Sequence, residues 1–189
     1  MDVAALRADC ARCASLCCVA LAFDRSPLFA FDKANGVPCS NLDSCGRCRI
    51  HAERAQRGFA GCVAYDCFGA GQRVTQEVFG GRSWRDEPSL MAPMSRAFVA
   101  MRQVHELLVL LNEAGKLGLT PDERCELSAL ERVLRTDGKW SSESLAAFDF
   151  EATKTCVSGF LRSLRGHVAI APPLGEPVRR SACEGGLRG

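Results

Sequence analysis

Apolar positions fall along this chain in two regimes. From Met94 onward they recur at three- and four-residue steps. Phe98, Met101, Leu108 and Leu111, with His105 among them, share one face of a helix of about five turns ending near Gly115. A second helix is announced by Thr120-Pro121-Asp122-Glu123: Thr120 suits the cap, Pro121 the first helical position, and Glu123 completes a capping box. Leu127, Leu130 and Leu134 form its apolar stripe, and Gly138 is expected to end it. A last helix is expected after Asp149, running to about Gly166 and burying Phe150, Cys156, Phe160, Leu161 and Leu164. Three such helices with short connections predict a small antiparallel bundle.

Upstream the pattern loses its period. Val19, Leu21, Phe23, Leu28, Phe29 and Phe31 come in short runs, and Pro27, Gly36, Pro38, Gly46, Gly58 and Gly61 interrupt them. Neither a long helix nor a regular sheet fits such a segment. Residues 71–93 read as an ordered connector, because Val74, Val78, Phe79 and Trp84 can pack back onto the flanking parts. The expected organisation is a cysteine-rich lobe at 1–70, the connector at 71–93, a three-helix bundle at 94–169 and a flexible tail at 170–189. The expected fold class is mainly α: an irregular cysteine-rich metal-binding lobe packed on a small antiparallel helical bundle.

Composition narrows the function. The 189 residues are 47% apolar, enough for an ordinary core, and 24 basic against 22 acidic residues give a net charge of +2. That balance argues against nucleic acid as a partner. No run reaches the length of a membrane span, and the N-terminus lacks a basic stretch followed by an apolar one, so neither membrane insertion nor secretion is expected. The expected location is cytoplasmic.

Cysteine changes the picture. There are 12, and nine of them lie between Cys10 and Cys67. In a reducing compartment a dense cysteine cluster points to metal ligands more than to disulfides. A lobe that buries little surface would also draw its missing folding energy from coordination. Cys125, Cys156 and Cys183 are scattered; the first two read as small apolar residues in helical patterns and the third as part of a polar tail.

The first cysteine group is Cys10-x2-Cys13-x3-Cys17-Cys18. A two-residue spacer lets two thiolates turn onto one soft metal, as at zinc and iron–sulfur sites. If this stretch is helical, Cys10, Cys13 and Cys17 share a face and Cys18 points roughly 100° away, toward a second centre. Cys39 and Cys45-Gly-Arg-Cys48-Arg-Ile-His51 form the second group, and Cys62-x2-Tyr65-x-Cys67 the third. Arg12, Arg47, Arg49, Arg54 and Arg57 either offset thiolate charge or form a solvated face.

Cys10-x2-Cys13-x3-Cys17-Cys18, Pro-Cys39, Cys48-x-Ile-His51-x2-Arg54 and Cys62-x2-Tyr65-x-Cys67 resemble the YkgJ-type cysteine-cluster family of zinc- or iron-chelating domains. The resemblance covers about residues 10–70. It implies Cys10, Cys13, Cys17, Cys18, Cys39, Cys48, Cys62 and Cys67 as metal ligands and leaves Cys45 a spare thiol. Tyr65-Asp-Cys67-Phe-Gly-Ala-Gly-Gln72, Phe79-Gly-Gly-Arg-x-Trp84 and Met101-Arg-Gln-Val-His-Glu-Leu107 are similar to the N-terminal region of actinobacterial pentapeptide-repeat proteins. The flagellin lysine methylase resembles the cysteine pattern too and implies an iron–sulfur centre with a methyl donor. No Gly-rich strand-to-helix turn here suits a nucleotide-like cofactor, so its activity is not carried over.

His51 reads as a ligand, as a partner of a cluster sulfur, or as a surface residue. His105 reads as a satisfied packing residue, and His167, after a helix end at Gly166, as a C-terminal cation or a surface group. Tyr65 is placed either to donate a hydrogen bond to a cluster sulfur or simply to pack. The expectation is an iron–sulfur cluster of the 4Fe–4S type, with zinc as the alternative, in a redox, sensor or accessory centre serving a protein partner. A structural zinc module and an iron–sulfur-dependent modifying enzyme are the rival readings.

Overall fold

A computed structural model describes residues 3–136 and 140–167. The expected tail, Cys183 and the helix end at Gly138 lie outside the described residues. The fold is mainly α: an irregular cysteine-rich lobe packs on a helical bundle, and the lobe's backbone pairing is limited to three isolated bridges. The helices are α1 (Cys17–Ala20), α2 (Ala60–Ala64), α3 (Ala70–Arg73), α4 (Met91–Ala114), α5 (Pro121–Arg135), α6 (Ser142–Ala146) and α7 (Phe150–Ser163).

Helix α4 is the axis of the molecule. It touches α1, α3, α5, α6 and α7, and Met94, Phe98, Met101, Leu108 and Leu111 along it are fully buried. It begins three residues before the expected Met94, because Pro93 falls in the first turn, where its missing N–H costs nothing. The capping box of α5 forms as its sequence predicts: Thr120 Oγ1 accepts from Glu123 N–H, and the Glu123 carboxylate accepts from Thr120 N–H at 2.8 Å. Asp149 caps α7, and a 3-10 turn at Leu164–His167 follows it. The periodic reading missed α6, a single turn too short to show a period, although it carries its own capping box between Ser141 and Ser144.

Two side chains depart from the expected stripes. Val157, Phe160 and Leu164 take the inward face of α7 and its extension, so Cys156, one position earlier, is turned out to solvent. Cys125 is exposed as well, because Leu127 and Leu134 face the core and a two-residue offset points nearly the opposite way.

The connector is itself helical. After α3 the chain continues as a π-helical turn, Val74–Val78, closed by Phe79 N–H bonding Val74 O at 3.0 Å. Ala70, Val74 and Phe79 join the core against α4, as do Ala14, Leu16 and Ala20 from the lobe. A hairpin across Phe23 and Lys33 is held by stacking of Phe23 on Phe29 (4.3 Å between centroids), and Phe59 meets Phe31 edge-on at 5.0 Å.

Candidate metal centre

The Cys10–Cys18 stretch is not one helix. Cys10–Arg12 is a 3-10 turn, Cys13 is extended, and Ser15 adopts a left-handed conformation (φ 58°) before α1 begins at Cys17. The break is stabilised by tertiary contacts: Ser15 Oγ donates to the Gly46 carbonyl, which ties the first cysteine group to the second. Trp84 Nε1 donates to Ala14 O at 2.7 Å, and Ala14 N–H donates to Thr75 Oγ1 at 3.0 Å. Gln72 accepts from Asp9 N–H and donates to Arg7 O, while Gln76 donates to Arg12 O. One face of α3 and the π-helical turn therefore holds the backbone of residues 7–14 by side-chain bonds. Gly71 makes the approach possible, since a Cβ there would lie 2.6 Å from Cys13 Sγ.

Broken as it is, this stretch still gathers its thiols. Burial pushes Cys10 up, and Cys17 and Cys67 add to the rise. Cys13 is pushed up to about 12, chiefly by burial and further by Cys17 and Cys67. Cys17 is held well above the ordinary thiol range, first by its hydrogen bond to Cys18 and then by burial. The Cys17 and Cys18 sulfurs are 4.0 Å apart. Two thiolates on one tetrahedral zinc, with bonds of about 2.3 Å, stand about 3.8 Å apart. Cys18 therefore does not diverge to a separate centre as expected: its sulfur stays beside that of Cys17, which packs against the core.

The second and third groups join the first. Cys62 is raised by burial and by Cys17, Cys39 and Cys48. Every one of the eight ligand candidates lies within electrostatic reach of at least one other of this set or of Lys33 beside it, and Cys17 recurs in each neighbourhood. Cys45 is exposed, on a turn held by the Asp43 carboxylate, and enters none of these neighbourhoods. The eleven described cysteines are all free thiols. Among the described residues, no group of three or more His, Cys, Asp or Glu side chains is arranged so that it could hold a metal ion.

Of the five arginines, Arg54 alone is drawn inward. It donates to the His51 carbonyl at 2.9 Å and to the Cys62 carbonyl at 3.0 Å, and its charge opposes the rise at Cys10 and Cys62. Arg12, Arg47, Arg49 and Arg57 are exposed, and Arg57 pairs with Glu53 on the surface. His51 is exposed at the start of a 3-10 turn.

Tyr65 lies against the core beside Cys17 and Cys67; Arg102 faces its buried hydroxyl, whose own O–H donates to no neighbour. Burial pushes this phenol up. The Arg102 guanidinium counters that only in part, standing over the ring at 5.7 Å from its centroid. An orphaned donor among thiols suits an additional acceptor in their midst. The donor set suits a soft cation: it is cysteines alone, and Cys10, Cys13, Cys17 and Cys62 among them are raised by burial and by neighbouring thiols, a cost to the thiolate that a metal would offset.

His105 is buried and satisfied. Its Nδ1–H donates to the carbonyl of Phe68, a left-handed residue directly after Cys67, and Nε2 accepts from Arg73 at 3.3 Å. Burial, reinforced by Arg73, lowers its pKa to about 4, which keeps the ring neutral. His167 Nε2 bonds the Glu123 carboxylate at 2.9 Å, linking the end of the 3-10 turn at Leu164–His167 to the start of α5.

Sequence reasoning passed over Lys33, Arg102, Gln72, Thr75 and Gln76. No local pattern marks them, since a lysine or glutamine in a polar stretch is by default solvated. Their positions follow from loops that close over distances of 61 to 65 residues at the Thr75, Gln72 and Gln76 bonds.

No family model matches the chain, and no solved structure matches it. The uncharacterized protein YybG of Bacillus subtilis (strain 168) is similar, with 39% identity over 156 residues, which are 82% of this chain and 56% of that protein. The chain thus spans a little over half the length of that relative.

Proposed function

We propose that this chain is a metal-binding protein whose lobe holds a thiolate-ligated centre through Cys10, Cys13, Cys17, Cys18, Cys39, Cys48, Cys62 and Cys67. The same residues support placing it with the YkgJ-type cysteine-cluster family. One observation supports the reading: Cys10, Cys13 and Cys62, from two separated segments, and Lys33 from a third each feel the charge of Cys17, while Cys45, the spare thiol of the sequence pattern, is exposed and enters none of these neighbourhoods. Burial and neighbouring thiols raise Cys13 and Cys17, so their thiolate form is costly in a lobe with so little regular structure. A cation shared among them reverses that cost.

The centre is assigned as an iron–sulfur cluster acting in redox, sensing or an accessory role for a protein partner. The adjacent pair Cys17 and Cys18 and the Tyr65 hydroxyl, whose O–H donates to no neighbour and suits a bond to a sulfur, favour it over zinc. A structural zinc module is the second reading, favoured by the tetrahedral spacing of those same two sulfurs.

Purification without oxygen, followed by an absorption spectrum and metal analysis, separates the readings. Brown protein absorbing broadly near 400 nm, with about four irons per cluster, is the expected result. Colourless protein with tightly held zinc would replace it with the structural reading. Protein that retains no metal, and takes up none on reconstitution, would overturn both.

A further inference from the structure

One charged group in the lobe is buried without a counter-charge. Lys33 is 6% exposed, and its Nζ donates to the carbonyls of Val19 (3.0 Å), Leu21 (2.5 Å) and Ala34 (3.1 Å). Those bonds use all three ammonium protons, and every acceptor is neutral. None of the ion pairs among the described residues includes Lys33. The Phe23 ring covers it at 5.9 Å from the centroid.

Buried charges are ordinarily paired with an opposite charge or bound to a metal site. Burial pulls the Lys33 ammonium down from its ordinary range, and the groups that oppose this are Cys39, Cys18 and Cys17, whose thiolates would favour its charged form. The bonds also fix where the charge sits. Val19 belongs to α1 and Leu21 follows its end, so the ammonium is tied to the single turn that carries Cys17 and Cys18. Gly36 N–H bonds Val19 O at 2.9 Å and Cys39 N–H bonds Cys18 O at 2.9 Å, fastening the segment from Lys33 to Cys39 along the same turn. Four thiolates on a divalent ion, or on a 4Fe–4S core of charge +2, sum to −2. A fixed lysine returns one of those charges inside the protein, where screening is weak.

We propose that Lys33 is the built-in counter-charge of an anionic, all-thiolate centre, fixed beside Cys17, Cys18 and Cys39 so that the metal-loaded state is favoured. The assignment rests on the metal-binding reading above. Lys33 is a positioning and charge-balancing residue: it donates no proton, and it touches the metal only through the field it sets.

The test is a cobalt(II) titration of the oxygen-free, metal-free full chain, read by sulfur-to-cobalt charge-transfer absorption. It compares the natural protein with Lys33→Arg, Lys33→Gln and Lys33→Met, each checked for helicity by circular dichroism. The neutral variants should bind cobalt at least about tenfold more weakly than the natural protein, and Lys33→Arg should recover most of the loss, as expected for one poorly screened charge. Lys33→Gln keeps a donor for the carbonyls and removes only the charge, so it carries the comparison if Lys33→Met does not fold. Equal cobalt affinity in Lys33→Gln and the natural protein would overturn the proposal while leaving metal binding intact. Loss of the fold in Lys33→Gln alongside a folded Lys33→Arg would make Lys33 a scaffold and would overturn it too. Absence of charge-transfer absorption in the natural protein, together with no cluster absorption after reconstitution with iron and sulfide, would fail the metal-binding reading itself.

Discussion

Single atoms decide how close the cysteine segments come. Gly71 is the sharpest case, because only hydrogen stands where a Cβ would meet Cys13 Sγ at 2.6 Å. Gly71→Ala should destabilise the protein by about 1–3 kcal/mol through overpacking and lower its metal content, measured by urea unfolding and metal analysis. Cys17→Ser should lower metal content more than any other single change in the lobe, since Cys17 neighbours both thiol groups; Cys45→Ser should leave it unchanged. His105 predicts a pH dependence. Its folded pKa is lowered to about 4 from an ordinary value near 6.5, so the unfolded chain takes up the proton first as pH falls. Stability is therefore full above about pH 6.5, declines toward pH 4 and levels off below, by an amount on the order of 3 kcal/mol. Urea midpoints across that range should fall less steeply in His105→Gln than in the natural protein, and identical slopes would refute the assignment.

Elements divide between those made locally and those made by their neighbours. Helix α5 carries its own start in Thr120, Pro121 and Glu123, and Thr120→Ala should cost about 1 kcal/mol without touching metal content. The π-helical turn is of the other kind. Together with the end of α3 it carries Gln72, Thr75 and Gln76, at three- and four-residue steps on one face, which hold residues 7–14, the stretch of chain that presents Cys10 and Cys13. Replacing both Gln72 and Gln76 by alanine should speed amide exchange over residues 7–14 while exchange in α4 stays as it was. Uniform exchange across both would show that the clamp is not needed. The π turn follows His105's hold on Phe68, so the bundle and the clamp meet at one histidine.

At the scale of the whole molecule, one apolar core joins the lobe to the helices. Leu16 and Ala20 from the lobe, Val74 and Phe79 from the connector and Phe98 and Met101 from α4 belong to the same cluster. Metal bound only by the folded lobe should therefore raise the stability of the bundle as well. The expected outcome is a single cooperative thermal transition, followed by circular dichroism, that moves up on loading with cobalt or iron. Two transitions, with only the first sensitive to metal, would show that the lobe and bundle unfold separately. Among the described residues no helix is long and apolar enough to cross a membrane.

Periodicity and caps carry far through this chain because α4, α5 and α7 are stabilised by contacts three and four residues apart, and α5 and α7 also by capping side chains at their starts. The sequence by itself therefore determined the mainly helical fold, the α5 cap at Thr120 and the starts of α4 and α7 to within a few residues. It also determined that the cysteine-rich lobe would be irregular, since glycine and proline leave no run long enough for a period. It could not place Cys156, whose inward or outward face turns on a single residue of register against Val157. Tertiary structure alone decided the break at Ser15, the clamp from Gln72 to Gln76 and the burial of Lys33. Each depends on partners far away along the chain: Gly46 for Ser15, the Arg7 and Arg12 carbonyls for the glutamines, and the Val19 and Leu21 carbonyls for Lys33. A charge in a polar stretch looks solvated until the fold shows what has closed over it.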